Sequence, residues 1–194
     1  MLRRLYDWTM AQAATPHAMA TLAVVAFIES SIFPIPPDVL IIPMVLAARE
    51  RAWRIALVCT VASVIGGFAG YAIGLFLFDQ MARPILAFYG YMDKFETFQA
   101  LYNHWGAWIV FGAGVTPFPY KVITIASGLT ALNPFVFAIA SVLARGLRFF
   151  LVAGLLWKFG EPIRGFIEAH LGKLATLFFV LLIGGFVALK YLAV

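Results

Sequence analysis

Five ionisable residues stand inside stretches that are otherwise apolar: Glu29, Asp38, Lys121, Arg145 and Arg148. An ionised side chain at hydrocarbon depth costs on the order of 3 kcal/mol, so each of them needs an opposite charge, a water-filled cavity or a proton. Carboxyls raised in pKa by such surroundings take up and release protons near neutral pH, which makes Glu29 and Asp38 candidates for proton coupling. Asp38 follows two prolines and is equally placed to cap the helix that begins there. Arg145 and Arg148 lie one helical turn apart, so their guanidiniums share a face and form a candidate bidentate clamp for a phosphate group. Roughly ten residues separate them from either end of their apolar span, too far for complete snorkelling to the interface. Lys121 completes the set as a further cation for an anionic headgroup, or as the partner of Asp38 in a purely structural salt bridge.

Other chemistries find less support. His17, His104 and His170 are scattered without metal-ligand spacing, so no metal site is expected, and no cofactor. Neither Gly-x-Ser-x-Gly, a Walker loop nor His-Glu-x-x-His occurs, and no nucleophile with an adjacent base stands out, so an enzyme is not expected. The single cysteine, Cys59, lies in an apolar run and reads as a packing residue. The net charge of +5 does not point to nucleic acid, because the basic residues fall in short groups at the ends of apolar segments.

The elements that position these residues must sit in a membrane. With 63% apolar residues and 14 basic plus 9 acidic side chains in 194, the chain cannot cover a water-facing surface at ordinary charge density. Residues 55–78, 97–120 and 122–144 carry no Asp, Glu, Lys or Arg. Each exceeds the roughly 20 residues that cross a hydrocarbon core. Residues 18–48 are apolar but interrupted by Pro34, Pro36 and Pro37, and 106–132 by Pro117 and Pro119, where helices lose donors and meet ring clashes. Each stretch is predicted to be a re-entrant helical hairpin that enters and leaves on one side. Transmembrane helices are predicted over 55–78, 135–157 and 173–191. An amphipathic surface connector is predicted over 79–104, and a short interfacial helix over 2–14. Arg3 and Arg4 precede an apolar stretch, but the prolines after it do not resemble a cleavage site, so the N-terminus is expected to be retained.

Pro34 pairs with Pro117, Pro36 with Pro119 and Asp38 with Lys121, each at an offset of 83 (117 − 34 = 119 − 36 = 121 − 38). A hairpin plus one crossing reverses sides, so the fold class expected is an all-α integral membrane protein of two inverted repeats followed by a C-terminal transmembrane helix. In that topology eight basic residues (Arg3, Arg4, Arg49, Arg51, Arg54, Lys158, Arg164, Lys173) share a side with the N-terminus, against Arg83, Lys94 and Lys190 opposite, which predicts a cytoplasmic N-terminus.

The stretch Glu29-Ser30-Ser31-Ile32-Phe33-Pro34-Ile35-Pro36-Pro37-Asp38, the glycines Gly66 to Gly74 and Gly128 after the second break resemble the DedA family of bacterial inner-membrane proteins, which carry the SNARE-associated or VTT domain. The second motif departs from it: Gly114 and Tyr120 stand where many members have arginine, with Lys121 adjacent, a combination closer to the YqaA-like subgroup. The resemblance implies a flippase, scramblase or proton-coupled transporter of a phosphate-bearing lipid, either a polyprenyl phosphate or a phospholipid. Membrane lipid and protons are then the partners, and self-association into a homo-oligomer is compatible with it. A non-transporting assembly or scaffold protein is the alternative, and an intramembrane lipid-modifying enzyme the third reading.

Overall fold

The computed structural model describes residues 17–32, 36–116, 118–160 and 162. The helices expected over 2–14 and 173–191, and the break residues Pro34 and Pro117, lie outside the described residues.

The chain is helical, with no strand among the described residues. Helix α1 is Ala18–Ser31 and α2 is Asp38–Ala47, followed by a 3-10 turn, Arg49–Arg51. Helix α3, Ala52–Leu77, passes through one widened turn, Phe78–Ala82, into α4, Arg83–Phe88. Helices α5, Met92–Val115, and α6, Tyr120–Leu129, flank the second break, and α7 runs over Pro134–Gly160.

Local chemistry sets several of these ends. Val115 is the last residue of α5 because Thr116 precedes a proline and is driven to extended backbone, φ −79° and ψ 166°. The start of α7 follows the sequence Asn133-Pro134. The Asn133 side-chain oxygen accepts hydrogen bonds from the amides of Phe135 (2.9 Å) and Val136 (3.4 Å), while proline takes the first-turn position that needs no donor.

Two helices are long and apolar enough to cross a membrane: the 40-residue run Arg49–Phe88 and the 27-residue Pro134–Gly160. Helices α1 and α2, with 14 and 10 residues, reach only about 21 and 15 Å, about half of a ~30 Å hydrocarbon core or a little more. The partition around residue 100 differs from the expected one. Helix α5 is continuous from Met92, so one helix takes in the end of the expected connector and the first arm of the expected second hairpin.

The packing register is read from contacts along the helices. Helix α7 runs antiparallel to α3: Gly154 lies at Trp53, Gly146 at Thr60, Arg145 at Ser63 and Phe137 at Gly67 and Tyr71. Helix α5 runs parallel to α7, with Gly114 at Ala144 and Thr116 at Arg148. Helix α6 runs parallel to α3 along glycines. A Cβ on Gly74 would overlap the backbone of Ile125 and one on Gly128 the backbone of Tyr71, so the two main chains touch directly. Gly70 faces the Thr124 side chain, and Gly66, one turn earlier, faces the backbone of Phe27 in α1.

Two apolar cores result. One gathers α1, α2, the first half of α3 and the second half of α7 around Leu22, Ile41, Ile55 and Phe149; the other gathers the second half of α3, α5, α6 and the start of α7 around Tyr71, Val110, Tyr120 and Phe137. Large apolar side chains such as Val61, Ile65, Phe76, Ile139, Leu143 and Leu151 point outward, as a lipid-facing exterior requires.

Candidate functional site

The charged residues meet where the two cores join. Arg145, only 1% exposed, donates from Nη2 to Glu29 Oε2 at 2.7 Å and from Nε to Ser63 Oγ at 2.6 Å. Its guanidinium carbon lies 4.8 Å from the ring centroid of Tyr120 and 4.6 Å from that of Phe149. Tyr120 is fixed in turn by a hydrogen bond from its hydroxyl to Ser141. The cation is thus bonded at its edge and covered on its π faces, an arrangement that compensates its desolvation from every direction. Ser30 ties the group together, donating to Glu29 Oε2 (3.1 Å) and sharing a hydrogen bond with Ser63 (2.7 Å).

One turn further along α7, Arg148 donates from Nη2 to Asp38 Oδ2 at 2.6 Å and from Nη1 to the carbonyl oxygen of Thr116 at 3.0 Å. This second pair is more open, with 18% of the Arg148 side chain and 22% of Asp38 exposed. The other carboxylate oxygen of Asp38, Oδ1, is buried and has no hydrogen-bond partner among the described residues. A buried charged acceptor left unpaired carries its full desolvation cost, so the pair is bonded on one side only.

Lys121 donates from Nζ to the carbonyl oxygen of Ile32 at 3.0 Å. Asp38 therefore pairs with Arg148 and not with Lys121, the partner its matching position in the second break had suggested. The physical reason is the exposed end of α1. Its last carbonyls lose their donors at the proline break and form the negative end of the helix dipole, which holds a lysine in place of a carboxylate. Thr124 serves the same end, donating to the carbonyl oxygen of Ser30 at 3.1 Å. At α5 the freed carbonyl of Thr116 goes to Arg148. Carbonyls released at each break are thus bonded by side chains from beyond the second break.

All five singled-out charges are brought to these neighbouring clusters, yet Arg145 and Arg148, which share a helix face, hold different carboxylates. Ser30, Ser63, Thr124 and Tyr120 were not foreseen. Ser63 is the polar residue of the charge-free run that shares a helix face with Gly66, Gly67 and Gly70, and that was the available signal. Among the described residues no group of His, Cys, Asp and Glu could hold a metal ion.

The VTT domain matches residues 35–158. A protein from Haemophilus influenzae described as an uncharacterized protein is 39% identical over 168 residues, covering 84% of this chain and 87% of the relative. An uncharacterized protein from Histophilus somni matches with the same identity and coverage. No solved structure matches. With a domain match over more than half its length and relatives of this identity along nearly their whole chains, the protein belongs to the VTT-domain, or DedA, family of membrane proteins.

Proposed function

We propose that the protein moves a phosphate-bearing lipid across the bacterial inner membrane, with Arg148 and Lys121 as headgroup ligands and Asp38 as the counter-ion that the headgroup displaces. The observation that carries this reading is the partly exposed, one-sided pair Arg148–Asp38 lying between two broken helices. Three cations and two carboxylates leave a formal charge of +1 (3 − 2) in the site, and Lys121 is bonded to a neutral carbonyl oxygen, with no carboxylate partner among the described residues. An incoming phosphate that takes the Arg148 fork frees Asp38, whose carboxylate then accepts a proton and stays neutral. One proton accompanies one anion, and the charge balance of the cavity is kept.

The inverted repeat belongs to the same reading. Helices α2 and α6 both have 10 residues, and α3 and α7 start 82 residues apart (134 − 52). Antiparallel packing of α3 on α7 is what inversion demands, and two paired re-entrant hairpins would then form the gate. Arg49 lies against Gly160, so the basic cluster 49–54 and Lys158 share one end, which positive-inside anchoring assigns to the cytoplasm together with the N-terminus. Labels at Ala48 and Thr97 should report opposite faces of the membrane; the same face for both would sink this topology.

The functional test is translocation of labelled phosphatidic acid or polyprenyl phosphate in proteoliposomes, with and without a pH gradient. Arg148→Gln should abolish it and Arg148→Lys, which keeps charge but loses the planar fork, should leave an intermediate rate. Wild-type rates in Arg148→Gln would overturn the assignment. The Glu29–Arg145 pair, with its buried guanidinium, favours one second reading, a scaffold protein whose buried charges fix helix packing, and that reading predicts no lipid movement under any gradient.

A further inference from the structure

Helices α5 and α7 leave an apolar groove of about 360 Å³ between them, lined by Ala107, Trp108 and Phe111 on one side and Val136, Ile139, Ala140 and Leu143 on the other. We propose that this groove is a binding lane for the hydrocarbon chain of the transported lipid; this rests on the headgroup site just assigned. The argument is one of continuity. Val136, Ala140, Ala144 and Arg148 recur every fourth residue and so form one ridge of α7. The first two line the groove, Ala144 meets Gly114 of α5, and Arg148 reaches Thr116 at the end of α5. The groove therefore occupies the first part of a seam in which the two helices close at Gly114 and Ala144 and which ends, one turn on, at the partly exposed ion pair.

The ridge from Val136 to Arg148 spans 12 residues, about 18 Å, slightly more than half of a ~30 Å hydrocarbon core. Arg148 lies midway along α7, so a lipid held there has its headgroup near mid-depth and its chain pointing to the Pro134 end. That is the orientation of a lipid that entered headgroup-last from the opposite end, where Arg49 to Arg54 and Lys158 lie, and has not yet turned over. Trp105 and Trp108, exposed at the groove's outer end, are side chains that favour a membrane interface. Lipid is the occupant that fits, because a lining of apolar side chains gives nothing for a water-soluble ligand to bond.

Binding to the full-length protein in detergent separates the possibilities, with three probes: dioleoyl phosphatidic acid, its dihexanoyl analogue and inorganic phosphate. Ala107→Trp places an indole in the groove from an exposed position. It should weaken the dioleoyl lipid at least about tenfold, roughly what two buried methylenes contribute, and leave inorganic phosphate unchanged. Arg148→Gln should weaken all three. A photoreactive group on the acyl chain should label Leu143 in the wild type and lose that labelling in Arg148→Gln. Equal dioleoyl affinity in Ala107→Trp, or labelling of Leu143 that persists in Arg148→Gln, overturns the lane while the headgroup site stands. Crosslinks from Leu143 to residues 173–191 would overturn it too, by giving the groove to the chain itself. If Arg148→Gln changes none of the three affinities, the headgroup assignment itself fails.

Discussion

Two arginine–carboxylate pairs stand one turn apart on the same helix and live in different surroundings. Arg145–Glu29 is the more closed: two serines add hydrogen bonds to it, two aromatic rings lie near the guanidinium, and Arg145 is all but sealed from outside. Arg148–Asp38 is open, with a backbone carbonyl as its further partner and one carboxylate oxygen left without a donor. A charge pair held by several bonds can leave its arrangement only at the cost of all of them, whereas a pair with fewer bonds trades one partner for another more readily.

The sharpest way to break the comparison is to remove each guanidinium in turn. Arg145→Gln strands Glu29 in a buried site and should cost on the order of 3–5 kcal/mol, enough to lower the detergent melting temperature sharply or prevent folding. Arg148→Gln should cost less, about 1–2 kcal/mol, since its pair is about one-fifth exposed and water can take part of the place of the lost donor. Equal losses in the two variants would erase the distinction. Between the two falls Ser63→Ala, which deletes a hydrogen bond to a buried cation and should cost about 1.5–3 kcal/mol while headgroup binding in the surviving protein stays as in wild type. Lost binding at full stability would instead make Ser63 part of the ligand site.

Smaller still is the change in stability expected for Asp38→Asn. The substitution removes a charge whose second oxygen is unbonded, so melting should shift by no more than the equivalent of about 1 kcal/mol in either direction. Transport should then lose its pH dependence, because the proton acceptor freed by the headgroup is gone. A retained pH profile would move proton coupling to another group, with Glu29 the next to test. The least effect on stability belongs to Lys121→Gln, about 0.5 kcal/mol through the lost dipole contact at the end of α1. Its signature is a weaker salt dependence of phosphate-lipid binding, and an unaltered salt response would remove Lys121 from the headgroup ligands.

Much of this was legible in the residues before any coordinates. Prolines and charge-free runs announce helices and breaks, and the Glu29 to Asp38 stretch carries the family. Which cation serves which carboxylate was not legible, because Asp38 and Arg148 are 110 residues apart and meet only through the crossing of α7 with the first break. Position matching paired Asp38 with Lys121 by symmetry, but symmetry takes no account of the helix-end carbonyls that compete for the lysine. The continuity of α5 was hidden for a different reason. Asp93, Lys94 and Glu96 mark a change from polar to apolar surroundings, and a helix can cross such a boundary without interruption, since its backbone bonds are satisfied internally on either side. Tyr120 shows a third limit. It carries no charge, yet its ring receives the guanidinium of Arg145 from another helix.

The glycines of α3 lead one step further. Gly66, Gly70 and Gly74 recur every four residues, so they form a single rail along the helix, and two different helices ride on it: the end of α1 rests on Gly66 and α6 occupies Gly70 and Gly74. A shift of one turn along a helix moves a partner by about 6 Å, the distance between successive glycines on this rail. If α6 advances by one such step towards the start of α3, it arrives where the backbone of Phe27 already lies. The two broken helices thus share one track, and the spacing of three residues that have no side chains fixes how closely both approach α3 and each other.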